Sequence, residues 1–263
     1  MPRLKRPDGV EIHWEVHGEG PPVLIACSCF AFPAIFKPLH DELASDHAVI
    51  LYDARGTGKS TREGPYEMPT DVADLAAVLE EAAREPAVLI GTGDAVHRVV
   101  HAAAARPELV RAAVCPGVAP LGAQVDYGTV GEGLASSTVV VDALVRLLES
   151  DYRAGMFTAV EGANPQLDDE GVRERVTAMI DYAPLEATLG RLRIWIEDDA
   201  REAARSLGDR LWILHFPGNR WFPPELKSTV QRESPEAHVE EVEDGALSRP
   251  DITAEFVRRI THC

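Results

Sequence analysis

Three residues in this sequence could carry proton-transfer or nucleophilic chemistry: Cys27, Asp94 and His215. A cysteine becomes a nucleophile when its thiolate is stabilised, and a carboxylate or imidazole at a cleft can move a proton. Each also has a plainer reading. A small buried cysteine is often only a hydrophobe. Asp94 stands where a helix begins, where its charge suits the helix N-terminus. His215 ends an apolar run, and a packing role suits it equally. His97 and His101 are four apart, a spacing that can place two metal ligands on one helix face. No third ligand accompanies them, so no metal and no other cofactor is expected. Cys27-Ser28-Cys29 lacks the two-residue spacer of a zinc knuckle. With Cys115 and Cys263 added, the cysteines are too sparse for a disulfide framework. The acidic runs Asp168-Asp169-Glu170 and Glu197-Asp198-Asp199 read as solvated helix faces.

The elements that must position these residues alternate in type. Residues 10–18 alternate apolar and polar, which predicts a half-exposed strand ended by the turn at Gly18-Glu19-Gly20-Pro21. Continuous apolar runs at 23–26, 48–52, 87–90, 110–115 and 211–214 predict strands buried on both faces. Helices are expected at 33–45, 70–84 (capped by Thr70 or Asp71) and 94–106. Such alternation implies a parallel, helix-covered sheet. From 118 to 206 no convincing strand occurs, only helical patterns near 138–149, 168–182 and 184–206. The alternation resumes with a helix at 223–233, a strand at 238–243 and a helix at 251–261. The expected organisation is a core of residues 1–117 and 207–263 interrupted by a helical cap of 118–206.

Composition narrows the partners. A formal net charge of −17 is unsuited to nucleic acid or to an anionic membrane surface. No apolar stretch reaches the length of a membrane span. No secretory signal follows the basic residues near Met1, so the cytoplasm is the expected compartment. Oligomeric state is left open.

Order and turn chemistry together resemble the α/β-hydrolase superfamily over essentially the whole chain. Asp53-Ala54-Arg55-Gly56-Thr57-Gly58-Lys59-Ser60 is similar to the family's D-x-R-G-x-G-x-S turn, where the arginine ties the turn together. Gly91-Thr92-Gly93-Asp94-Ala95 follows an apolar run and resembles the nucleophile elbow G-x-S-x-G, with Gly93 where the serine stands. Cys27-Ser28 replaces the family's His-Gly in the loop leading to the oxyanion hole. His215-Phe216-Pro217-Gly218-Asn219 resembles the segment that carries the triad acid, which puts Asn219 at the acid position. Glu243-Asp244-Gly245-Ala246 resembles the Gly-His segment, which puts Ala246 at the histidine position. The resemblance therefore implies an eight-stranded, mostly parallel α/β-hydrolase fold with a degenerate triad, a pseudoenzyme in the hydrolytic sense.

Without a tip side chain, covalent catalysis at position 93 has no nucleophile. The first functional expectation is binding of a small, largely apolar molecule with one carbonyl or anionic group. Its site would lie under the cap, near Cys27, Ser28, Phe30, Gly93, Asp94, Asn219, Trp221 and Ala246. A rival is an enzyme of another mechanism (lyase, cyclase or isomerase) in the same cleft, with Cys27, Asp94 or His215 moving a proton. An esterase whose triad lies elsewhere is a third possibility, and a scaffold that uses only its surface is a fourth.

Overall fold

A computed structural model describes residues 2–30, 32–117, 120, 138–164, 167–216, 226–242 and 249–262. Eight strands form its sheet: β1 (Arg3–Lys5), β2 (Glu11–His17), β3 (Pro22–Ala26), β4 (Ala48–Tyr52), β5 (Ala87–Gly91), β6 (Val110–Pro116), β7 (Leu211–His215) and β8 (His238–Glu241). Their spatial order is β1-β2-β4-β3-β5-β6-β7-β8. The β1–β2 and β2–β4 pairs are antiparallel, and every later pair is parallel. This is the α/β-hydrolase sheet the sequence implied. The exposed three-residue edge strand β1 was not anticipated, because Arg3-Leu4-Lys5 is too short to show a period.

Helices cover both faces. In β3, Leu24 and Ala26 face a core shared with Leu75 and Val78 of α2 (Met68–Ala82) and with Val96 and Val99 of α3 (Ala95–Ala105). Val23 and Ile25 face the opposite core, with Phe36 and Leu39 of α1 (Pro33–Leu43) and Val257 and Ile260 of the last helix (Pro250–Thr261). Successive strand residues point to opposite faces, so a central strand must be apolar throughout. All five residues of β3 and all five of β5 are accordingly buried.

Between β6 and β7 the described chain is helical: α4 (Thr138–Ser150), α5 (Tyr152–Ala163), α6 (Asp169–Tyr182), α7 (Leu185–Glu197) and α8 (Arg201–Leu207). Leu148, Met156, Val172, Val176, Met179 and Leu192 form a separate core there, and Phe30 and Phe32 of the β3–α1 loop pack against it. Tyr182 at the end of α6 accepts a hydrogen bond through its carbonyl from Gly58 N–H. The block thus meets loops leaving the carboxyl ends of β3 and β4. The helix α8 instead packs on α3 beside the sheet.

Three local expectations change. The reading of 184–206 as one helix gives way to two, because Asp198 is extended (ψ 141°) and breaks the pattern. The helix α5, unread in the sequence, is capped by Asp151, whose side chain accepts from Ala154 N–H. The helix α2 begins behind Glu67 with Pro69 in its first turn, so Thr70 and Asp71 are not caps. Asp71 is turned inward and buried.

Candidate functional site

The strand β5 ends at Gly91, and α3 begins four residues later. The chain reverses at Gly93, whose φ is +57°. Ala95 N–H donates to Thr92 O at 3.1 Å and Val96 N–H to Gly93 O at 3.2 Å, which closes the turn. Glycine occupies this left-handed region without the steric cost that a side chain brings. A Cβ built on Gly93 would lie 2.9 Å from Ser28 Oγ and 3.3 Å from Ser28 Cβ. Apart from the neighbouring residues Thr92 and Asp94, no other atom of the described residues comes within 4 Å of it. The room expected from the missing tip side chain is therefore partly taken by the Ser28 hydroxyl, which accepts from Phe30 N–H at 3.0 Å.

Asp94 does not cap its own helix. Its Oδ1 accepts from Cys29 N–H at 3.0 Å and from Cys29 Sγ at 3.2 Å. An elbow of this kind builds its oxyanion hole from the amide after the tip and from an amide in the loop after β3. Cys29 N–H belongs to that loop, and here a carboxylate already holds it. Asp94 Oδ2 accepts no hydrogen bond from the described residues, and it is not among the buried atoms sealed without a partner.

The thiols are poor nucleophiles. Cys27, Cys29 and Cys115 are all buried. Burial pushes Cys27 up, and the nearby charge of Asp53 adds to it. Burial also raises Cys29, reinforced by the Asp94 carboxylate to which its thiol donates. Cys115 is raised by burial alone. His215, buried at the end of β7, is held below the usual imidazole range by desolvation, so it is neutral near pH 7. Among the described residues no hydrogen bond joins it to Cys27, Ser28 or Asp94. Phe30 is half-buried against the helical block. Asn219, Trp221 and Ala246 lie outside the described residues.

Beneath this turn runs an ionic junction that was not read from the sequence. Arg98 of α3 and Arg191 of α7 both donate to Asp71 Oδ2, at 3.2 and 2.7 Å. Arg98 also donates to Cys27 O at 2.7 Å, and Arg191 to Arg55 O. All three side chains are almost wholly buried. Burial opposes the charge of both arginines, and for each this is outweighed by Asp71, Asp94 and the Tyr52 hydroxyl. Arg55 ties its turn as the resemblance implied, through Asp74 at 2.7 Å and Asp8 at 2.8 Å. A Cβ on Gly58 would fall 2.3 Å from the Asp53 side chain, so this turn requires glycine there.

His97 Nδ1 and His101 Nε2 reach Asp198 Oδ2 at 2.7 and 2.8 Å. Asp198 is therefore a histidine partner rather than part of a solvated face. Burial opposes its charge, but the bonds from His101 and His97 hold its carboxyl well below the usual range. Among the described residues no group of three or more His, Cys, Asp or Glu is arranged to hold a metal ion. No helix among them is long and apolar enough to cross a membrane.

The sheet order, the elbow and the Asp53–Ser60 turn define an α/β-hydrolase. Residues 16–256 match the α/β hydrolase family, and the chain belongs to it. An Azorhizobium caulinodans protein named for carbamate hydrolysis, RutD, is 35% identical over 102 residues, covering 38% of each chain. The 2-(acetamidomethylene)succinate hydrolase of Mesorhizobium japonicum is 35% identical over 98 residues, covering 37% of this chain and 35% of its own. The chain thus spans less than two-fifths of the length of the curated relatives it matches. An esterase from Exiguobacterium antarcticum superposes with a TM-score of 0.86 over 99% of both chains, at 18% identity. That likeness is one of fold.

Proposed function

We propose that this chain binds a small, largely apolar molecule in the cleft between the helical block and the carboxyl edge of the sheet, without forming a serine-bound intermediate. In this reading the helical part of residues 118–206 that ends with α7 acts as the cap, while α8 packs on α3 as part of the core; the protein works in the cytoplasm, and the triad is degenerate, with Asn219 and Ala246 at the acid and histidine positions. The observation that carries it is the elbow tip, where Gly93 offers no nucleophile and Asp94 holds the Cys29 amide that an oxyanion would need. Open α/β sheets bind ligands at this edge for topological reasons, so loss of the serine does not remove the site.

A second reading is favoured by the hydrolytic names of the relatives and by the open oxygen of Asp94. Here Asp94 Oδ2 takes a proton from water or from the substrate, and hydrolysis, elimination or isomerisation proceeds without covalent attachment. Turnover of activated esters and amides by the purified protein separates the two. Binding alone is expected to give hydrolysis no faster than buffer for the wild type and for Asp94→Asn. Hydrolysis that Asp94→Asn abolishes establishes the second reading. Hydrolysis trapped by a serine-directed phosphonate overturns both and marks a serine esterase.

A further inference from the structure

We infer that the amino edge of the sheet carries a binding site, separate from the elbow, that takes a small organic carboxylate with an apolar body. A cavity of about 480 Å³ lies there, lined by Pro86, Pro107, Val110, Arg111 and Arg210. Its walls come from three points where the chain enters the sheet. Pro86 precedes β5, Val110 and Arg111 open β6 shortly after Pro107, and Arg210 precedes β7. Proline is tolerated at such a strand entry, where no ladder hydrogen bond is asked of it. The backbone beside it is satisfied, since Ala87 N–H donates to Leu109 O at 2.9 Å. The elbow lies at the opposite end of β5, roughly 13 Å away by the rise of a strand.

The lining combines apolar surface with two guanidiniums and no carboxylate. Arg210 Nη1 donates to Val110 O at 3.1 Å, which holds its planar head against the wall. Its Nε and Nη2 have no partner among the described residues, and the Arg111 side chain has no hydrogen bond or ion pair among them. Both arginines are half-buried. Arg106, next to Pro107, is by contrast saturated, by Glu108 and Glu80 at 2.6 Å each. That engages Glu108 elsewhere, and Glu85 and Asp209 adjoin the lining in sequence without belonging to it. The lining thus offers a cation no side-chain acceptor, while the rigid fork of an arginine matches the two oxygens of a carboxylate. Two prolines and Val110 give apolar surface for the rest of the molecule. The volume lies within the range of small-molecule sites, about 300–1,000 Å³. The net charge of −17 repels anions at a distance, so selection rests on the two guanidiniums at close range.

The test titrates the full chain at pH 7 with benzoate, with its neutral counterpart benzyl alcohol, and with a blocked tetraglutamate peptide, following backbone amide chemical shifts. Benzoate is expected to shift Ala87, Val110, Arg111 and Leu211 saturably, and to bind at least about tenfold more tightly than benzyl alcohol. Arg111→Gln and Arg210→Gln should each weaken benzoate about three- to fivefold and leave benzyl alcohol unchanged. Equal binding of the two small probes overturns the carboxylate assignment. Absence of a saturable shift at these residues overturns the site. Benzoate shifts confined to the turn at Thr92–Val96 overturn it too, while supporting the cleft reading proposed above. Shifts here with the peptide but not with benzoate overturn the small-molecule assignment in favour of an acidic protein segment. The wild-type comparison of benzoate with benzyl alcohol decides the matter if a variant fails to fold.

Discussion

At the scale of the residue, Gly93 and Asp94 were legible to different degrees. An apolar run followed by Gly-Thr-Gly-Asp-Ala marks a strand-to-helix turn, and its tip can be read without coordinates. The use of Asp94 could not be read, because its partner Cys29 lies 65 residues away in sequence, and only the adjacency of β3 and β5 brings them together. The side chain was expected to serve its own helix and serves a neighbouring loop instead. Gly93→Ser tests the tip directly. Its Cβ would press on Ser28 Oγ at 2.9 Å in a backbone region that disfavours side chains. A loss of about 1–3 kcal/mol in urea denaturation is expected, and under the proposed reading, with Asn219 and Ala246 at the acid and histidine positions, no gain in ester hydrolysis accompanies it. A substantial gain would reveal a base in the cleft.

At the scale of the element, helix existence was mostly legible from apolar spacing, and helix boundaries were not. The pattern over 184–206 shows no stop, because the break at Asp198 is imposed by tertiary bonds to two histidines on α3. Asp71 was misplaced for a related reason: an aspartate near a helix start looks like a cap until its burial against two arginines is seen. That junction fastens α7 of the helical block to α2, α3 and the Cys27 loop. Removing one member of a buried ionic cluster leaves the rest uncompensated, so Asp71→Ala should cost about 3–5 kcal/mol. Equilibrium unfolding measures it. A loss under about 1 kcal/mol would mean that solvent reaches and compensates the arginines. Asp198→Asn removes the negative partner of His97 and His101, and proteolysis should then cut the α7–α8 connection sooner.

At the scale of the whole molecule, the strand–helix alternation made the sheet predictable, and its interruption made the helical insertion predictable. The strand at 10–18 was readable from its alternation, but its antiparallel direction was not, and β2 buries His13 as well as Ile12 while leaving Val16 at 39% exposure. Glu15 in that strand lies at the centre of a surface charge cluster. Its bonds from Lys59 and His13, against a smaller opposing effect of burial, lower its pKa from 4.5 to about 2. A depressed carboxylate stabilises the fold above its unfolded pKa, and that contribution is lost as pH falls through the folded value. Stability should therefore decline between about pH 4.5 and 2, and Glu15→Gln should flatten part of that decline. Thermal unfolding at a series of pH values checks it, and an identical slope in the variant would rule Glu15 out.

The mutual fit of Ser28 and Gly93 also bears on how this chain could change by mutation. A serine placed at the tip would press on the Ser28 side chain, and one step further along the turn Asp94 would still hold the Cys29 amide. Clearing Ser28 first gains nothing while position 93 is glycine. Under the proposed reading the route to serine chemistry takes at least three substitutions, at Gly93, Ser28 and Asp94, and a change at any one of them alone is expected to leave ester hydrolysis where it was.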